Sequence, residues 1–143
     1  MYLISHRGNI NRIHKNEENK PEYINIALNH NYDVEVDVRF EKGKFFLGHD
    51  FNQYEIDKNF LLNKKIWCHA KTPEALLALK EISAHYFWHQ EDDYTLTSKG
   101  FIWTYPGKKL LLKSICVLPE IANYKNINCV GICSDFIEKY KND

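Results

Sequence analysis

Residues 34–38 read Val34-Glu35-Val36-Asp37-Val38, and their alternation decides how the chain is expected to fold. In an extended strand, successive side chains point to opposite faces, so the three valines share one face and Glu35 and Asp37 share the other. Helices cover the apolar face of a parallel sheet, which leaves the two carboxylates pointing inward. Two like charges one strand repeat apart are costly to bury unless something positive sits between them. A divalent cation meets that need. The plainer alternative is the solvated face of an edge strand, and the basic and imidazole groups nearby weigh against it.

Outward from this strand, short apolar runs recur at Tyr2 to Ser5, Ile66 to Ala70, Tyr86 to Trp88, Phe101 to Tyr105, Ile115 to Leu118 and Val130 to Cys133. Their length and their β-branched and aromatic content fit buried strands. Pro21 to Asn29 opens with a proline suited to a first helical turn. Thr72-Pro73-Glu74 followed by ALLALKEI reads as an N-cap, a first-turn proline and an apolar stripe. A weaker helix is expected after Pro119. Strands alternating with helices argue for parallel βα units. Seven strands in so short a chain leave no room for full helices on both faces of an open sheet. The expected fold is therefore α/β, a reduced (β/α) TIM-like barrel with several helices shortened or missing, in one domain over residues 1–143.

The composition agrees with one soluble globular domain: 143 residues, 44% hydrophobic, 14% aromatic and 27% charged. Nineteen lysines and arginines balance nineteen aspartates and glutamates, so a basic face that tracks nucleic acid is not expected. No window approaches 18 apolar residues and MYLISHRGN has no leader pattern, so neither a membrane span nor a signal peptide is expected. Cys68, Cys116, Cys129 and Cys133 lack CxxC spacing and read as reduced thiols of a cytoplasmic protein.

The first strand ends Ser5-His6-Arg7-Gly8. At a strand's C-terminal end, a histidine can move protons near neutral pH and an arginine can grip a phosphate in a bidentate manner. Glu41-Lys42-Gly43-Lys44 reads as a hairpin turn, returning Phe45 to Leu47 towards Gly48-His49-Asp50 and bringing a second histidine to the same end. Asp50 is placed either to orient it or to cap the next segment. His14, His30 and His85 read as structural or surface residues.

His6-Arg7-Gly8, Glu18-Asn19, Glu35-Val36-Asp37-Val38 and His49-Asp50, in that order over roughly the first 50 residues, resemble the glycerophosphodiester phosphodiesterase family within the phospholipase-C-like phosphodiesterase superfamily. The resemblance implies a (β/α) barrel, a divalent metal on Glu35 and Asp37, His6 and His49 as the acid/base pair, Arg7 on the phosphate and Glu18 in support. In Trp67-Cys68-His69-Ala70-Lys71, His69 stands where the family carries a metal-binding glutamate, and Lys71 shares its face. Gly131-Ile132-Cys133-Ser134-Asp135 is similar to the family's last, barrel-closing strand. The family's substrate-covering insertion is reduced to residues 51–64, and the chain is ~100 residues shorter than is usual for this fold.

A Glu/Asp/His set carries one negative charge less than an all-carboxylate site. The expected ion is magnesium, calcium or manganese, and the imidazole also admits zinc. His89, after the fourth strand, is the best further site candidate, and Gln90 or Asp93 is placed to reach substrate hydroxyls. Trp103 and Tyr105 read more as aromatic core than as pocket wall, and Asp135 more as an anchor than as a chemical group. The function expected is metal-dependent hydrolysis of a glycerophosphodiester-like or related phosphodiester by histidine acid/base catalysis, with water or an internal hydroxyl as the nucleophile. Arg7 and Lys71 bind the phosphate in that reading. The alternative is a non-catalytic barrel that binds a phosphorylated ligand. Apolar surface left uncovered by missing helices makes a homodimer the expected assembly.

Overall fold

The computed structural model describes residues 1–142. Ten strands form one mixed sheet: β1 (Tyr2–His6), β2 (Asp33–Glu41), β3 (Lys44–Leu47), β4 (Tyr54–Ile56), β5 (Ile66–Ala70), β6 (Tyr86–Trp88), β7 (Tyr94–Leu96), β8 (Ile102–Thr104), β9 (Ser114–Val117) and β10 (Gly131–Ser134). Three helices accompany them, α1 (Pro21–Asn29), α2 (Lys58–Leu61) and α3 (Pro73–Glu81), with 3₁₀ turns at Pro119–Ile121 and Ile137–Tyr140. Seven strands run parallel in the order β6-β5-β2-β1-β10-β9-β8. The antiparallel additions are β3 and β4 beyond β2, and β7 beyond β8.

The expected reduced (β/α) TIM-like barrel is therefore corrected to a mostly-β mixed sheet with few, short helices. The reason lies in the connections. Helical crossovers between parallel strands take a dozen or more residues with an apolar stripe. Such segments exist only before β6, where Pro21 and the Thr72 cap start α1 and α3; Thr72 Oγ1 accepts from the Ala75 amide at 3.1 Å. After Glu81 no α-helix occurs among the described residues. The helix expected after Pro119 is a single 3₁₀ turn. Residues 51–64, expected as the remnant of an insertion, instead supply β4 and α2.

The two faces of the sheet divide the chemistry. Val34, Val36 and Val38 are fully buried with Ile66, Cys68 and Ala70 of β5, beneath Ile24 and Ala27 of α1 and Ala75 and Leu79 of α3. The opposite face begins with an apolar floor of Ile4, Trp67, Phe87, Trp103, Ile115 and Cys133. Trp67 is held there by its Nε1, which donates to Asp33 Oδ2 at 2.9 Å. One residue pair further along these strands, towards their C-terminal ends, the floor gives way to His6, Glu35 and His69. Register fixes that layer, because His6 lies opposite Glu35 and Asp37 opposite His69. No helix among the described residues is long and apolar enough to cross a membrane.

His85 packs at 4.2 Å from the Trp67 ring, is 4% exposed, and shares a 2.8 Å hydrogen bond between Nε2 and Thr97 Oγ1. Burial, then Lys99, depresses its pKa from 6.5 to about 4. The unfolded chain consequently takes up this proton first, and folding stability falls as pH drops from 6.5 towards 4. His89, also depressed by burial, adds in the same direction. Urea midpoints measured across that window will decline, and His85→Phe will flatten the decline whatever its effect at neutral pH.

Candidate functional site

The strand β1 ladder continues one residue past His6, where the Arg7 amide donates to the Glu35 carbonyl at 2.9 Å. Arg7 then turns into left-handed backbone (φ 55) and Gly8 follows at φ 94. A side chain on Gly8 would meet Tyr23 Cδ1 at 2.6 Å, so this turn needs glycine. The turn aims the guanidinium back over β2. Arg7 Nε lies 2.9 Å from Asp37 Oδ2, and Nη1 donates to Glu18 Oε2 at 3.3 Å.

Asp37 is fully buried and Glu35 1% exposed. Asn19 clamps Asp37 from both sides: its Nδ2 donates to Oδ2 at 2.8 Å, and its Oδ1 accepts from the Asp37 amide at 2.9 Å. Burial works to raise the Asp37 pKa, but Arg7, His69 and Asn19 outweigh it and hold the carboxyl below the ordinary value. Two carboxylate oxygens, Glu35 Oε2 and Asp37 Oδ1, are buried with no hydrogen-bond partner.

His69 faces that pair. Its Nδ1 lies 3.4 Å from Glu35 Oε1 and 3.5 Å from Asp37 Oδ1, while its Nε2 donates to the His89 carbonyl at 2.8 Å. With Nε2 engaged by that carbonyl, Nδ1 is the ring nitrogen that faces the carboxylates. A backbone carbonyl holding the outer nitrogen is the usual support of a metal-binding histidine. The ring stacks on Phe87 at 5.0 Å. Glu35, Asp37 and His69 offer ligand atoms that all lie within 4.8 Å of one another. This donor set, with two orphaned buried oxygens and an oriented imidazole, fits a divalent cation.

His6 is held from behind by Asp135, with Nδ1 and Oδ1 2.7 Å apart, and its Nε2 lies 3.8 Å from Glu35 Oε2. Burial opposes charge on His6, but the Asp135 hydrogen bond and Glu35 together raise its pKa above the ordinary value. Asp135 is tied down in turn. Its amide donates to Glu120 Oε1 at 3.0 Å, and its Oδ1 accepts from Asn9 Nδ2 at 2.8 Å. The same Asn9 amide donates to Glu18 Oε1 at 2.9 Å, linking the His6 support to the Arg7 support.

His49 arrives from the β2–β3 hairpin. Arg39 donates from Nε to the Gly48 carbonyl at 3.0 Å and from Nη2 to the His49 carbonyl at 2.7 Å, fixing the backbone that carries the ring. A Cβ on Gly48 would collide with the Phe51 carbonyl oxygen. The half-exposed His49 ring pairs with Asp50 at 2.8 Å through Nδ1.

Two cavities meet at His6, Arg7 and His49. One, of about 270 Å³, also takes in Glu35, His69, Lys71, His89 and Gln90. The other, of about 430 Å³, takes in Glu18, Asn19, Asp50 and Asp135. The site residues expected from the sequence, Asp93 excepted, thus gather around these two cavities. Asp37 lies beneath them, and His89 acts on His69 through its carbonyl while its own Nε2 bonds the Asp92 carbonyl at 2.7 Å. Asp93 does not join; it pairs with Lys108 at 3.0 Å. Trp103 is core, as expected, and also borders the cavity, whereas Tyr105, expected as core, is 44% exposed there. Asn9, Asn19 and Arg39 were not anticipated as site residues, and Asp135 holds His6 rather than merely anchoring the last strand. Glu18-Asn19 stood out only as a pair of motif letters, and the rest depend on contacts across 9 to 129 residues of chain. A larger cavity, about 950 Å³ between α3 and the β2–β3 hairpin, shares only Arg39 with these groups.

No protein-family model, no curated protein and no solved structure matches the chain.

Asn19 is 1% exposed and sits at φ 63, a conformation asparagine tolerates and alanine does not. Asn19→Ala strands the buried Asp37 amide and adds backbone strain, so urea unfolding will show a loss of about 2–4 kcal/mol. Asn19→Gly loses the same bonds without the strain and will be milder by about 1 kcal/mol.

Proposed function

We propose that the protein is a metal-dependent phosphodiester hydrolase acting on a glycerophosphodiester-like small molecule. One observation carries the reading: two buried carboxylates, each with an unpartnered oxygen, face an oriented imidazole beside Arg7, Lys71 and three further histidines, His6, His49 and His89. The likeness of residues 6–50 to the glycerophosphodiester phosphodiesterase motifs supports the same chemistry. A divalent cation bound by Glu35, Asp37 and His69 supplies Lewis-acid stabilisation of charge on the phosphoryl group. Arg7 and Lys71 bind and neutralise the non-bridging oxygens. Of His6 and His49, which border both cavities, one removes the proton from the attacking water and the other protonates the departing alkoxide. The new P–O bond comes from water, the ester P–O bond breaks, and the products are a phosphate monoester and an alcohol.

The second reading is a protein that binds a phosphorylated ligand without cleaving it. Four free cysteines, three of them buried, support placement in the reducing cytoplasm. Exposed Leu96 and Leu112 supply apolar surface for the expected homodimer.

The test is hydrolysis of a panel of small phosphodiesters by metal-stripped protein with magnesium, calcium, manganese or zinc restored. Turnover will require the metal and will fall by about 10²–10⁴-fold in His6→Ala and in His49→Ala. Turnover insensitive to both substitutions would contradict the assignment. Metal-dependent diester binding with no cleavage would establish the binding-only role.

A further inference from the structure

The two cavities that meet at His6, Arg7 and His49 differ in chemistry. The larger carries both charges, on Lys15, Glu18 and Asp50, and its apolar residues are Ile13 and Phe51, set among these polar groups rather than forming one continuous wall. Beyond the metal-ligand cluster, the smaller is walled by Trp103, Tyr105, Pro106, Val117, Leu118 and Ile121. Tyr105 lies nearly parallel to the His89 ring, at 18° and 6.0 Å between centroids. Tyr105 is 44% exposed and Ile121 68% exposed, so this wall is an open apolar face beside charged groups rather than sealed core.

The wall is also held in place at some cost. Leu118 is in left-handed backbone (φ 44), a conformation disfavoured for any residue with a branched side chain, and its amide donates to the Cys133 carbonyl at 2.7 Å. Two residues on, Glu120 accepts from Ser134 Oγ and from the Asp135 amide, both at 3.0 Å. Asp135 is the partner of His6. The segment that presents Leu118 and Ile121 is therefore fastened to the same residue that orients the histidine.

From this asymmetry, and resting on the hydrolase reading above, we infer that the substrate is an unsymmetrical phosphodiester. One ester arm is polar and glycerol-like; the other is apolar, flat and about the size of one ring, seated against Tyr105, Leu118 and Ile121. A cavity of about 270 Å³ shared with the metal-ligand cluster suits a single ring and not a long acyl chain.

Three diesters of glycerol with leaving alcohols of similar basicity test this: glyceryl phenethyl, glyceryl ethyl and glyceryl octyl phosphate, assayed with manganese. The phenethyl diester will exceed the ethyl diester in kcat/KM by at least about tenfold, the scale of one partly buried apolar group. Ile121→Ser, at an exposed position that folding does not depend on, will bring that ratio towards one. Equal kcat/KM for the phenethyl and ethyl diesters, or a ratio unmoved by Ile121→Ser, overturns the inference, and so does a preference for the octyl diester. If none is cleaved, the hydrolase reading fails and competitive binding of phenethyl phosphate against ethyl phosphate decides the pocket separately. Tighter binding of the phenethyl monoester, lost in Ile121→Ser, supports the apolar subsite; equal or no binding overturns it.

Discussion

Burying Glu35 and Asp37 on one strand is the constraint around which the rest of the molecule is arranged. Neither carboxylate is reachable by bulk water, and two like charges at this spacing in a low-dielectric interior need compensation close at hand. The compensation is unevenly distributed. Asp37 Oδ2 has both Arg7 and Asn19, whereas Asp37 Oδ1 and Glu35 Oε2 have no hydrogen-bond partner. That imbalance leaves two buried oxygens open to a further positive group. His69, with its outer nitrogen held by the His89 carbonyl, directs its remaining nitrogen at the deficit.

The sheet makes the arrangement rigid. β2 is pinned on its valine face by α1 and α3, and on either side by parallel ladders to β1 and β5. Residues on the opposite face are thereby set in register to the accuracy of backbone hydrogen bonding. Beneath them the Trp67, Phe87 and Trp103 cluster fills the interior with aromatic surface, and Phe87 supports the His69 ring directly. The strands thus supply fixed carboxylates and the His69 ring, while turns and loops supply the groups that reach over them. Arg7, Asn9, Asn19 and Glu18 come from the segment between β1 and α1, His49 from the hairpin, and Asp135 from the turn after β10. Left-handed backbone at Arg7 and Asn19 is the cost of bringing that segment back across β2.

Much of this was legible in residues whose spacing has a single structural meaning. A period of two in Val34–Val38 separates valines from carboxylates, and the same period places His69 and Lys71 together. Thr72-Pro73 and Pro21 mark helix starts that the structure reproduces at the residue. The architecture was not legible, because the strand runs do not reveal whether a helix or a loop joins them. Residues 105–113 and 118–130 carry no helical stripe, and short antiparallel strands such as Tyr54–Ile56 and Tyr94–Leu96 are too brief to show a period. Asn9 and the role of Asp135 escaped for a different reason. A polar side chain in a loop looks the same in sequence whether it faces water or, as with Asn9 and Asp135, shares a hydrogen bond across 126 residues.

The most direct measurement is a crystal grown with manganese and examined for anomalous scattering at the manganese edge. A single peak bounded by Glu35, Asp37 and His69 Nδ1, absent in crystals of Asp37→Asn grown the same way, is the predicted result. Wild-type crystals with no peak there, and with both His69 nitrogens engaged as donors, would show that the histidine itself neutralises the carboxylates and that the cluster is structural.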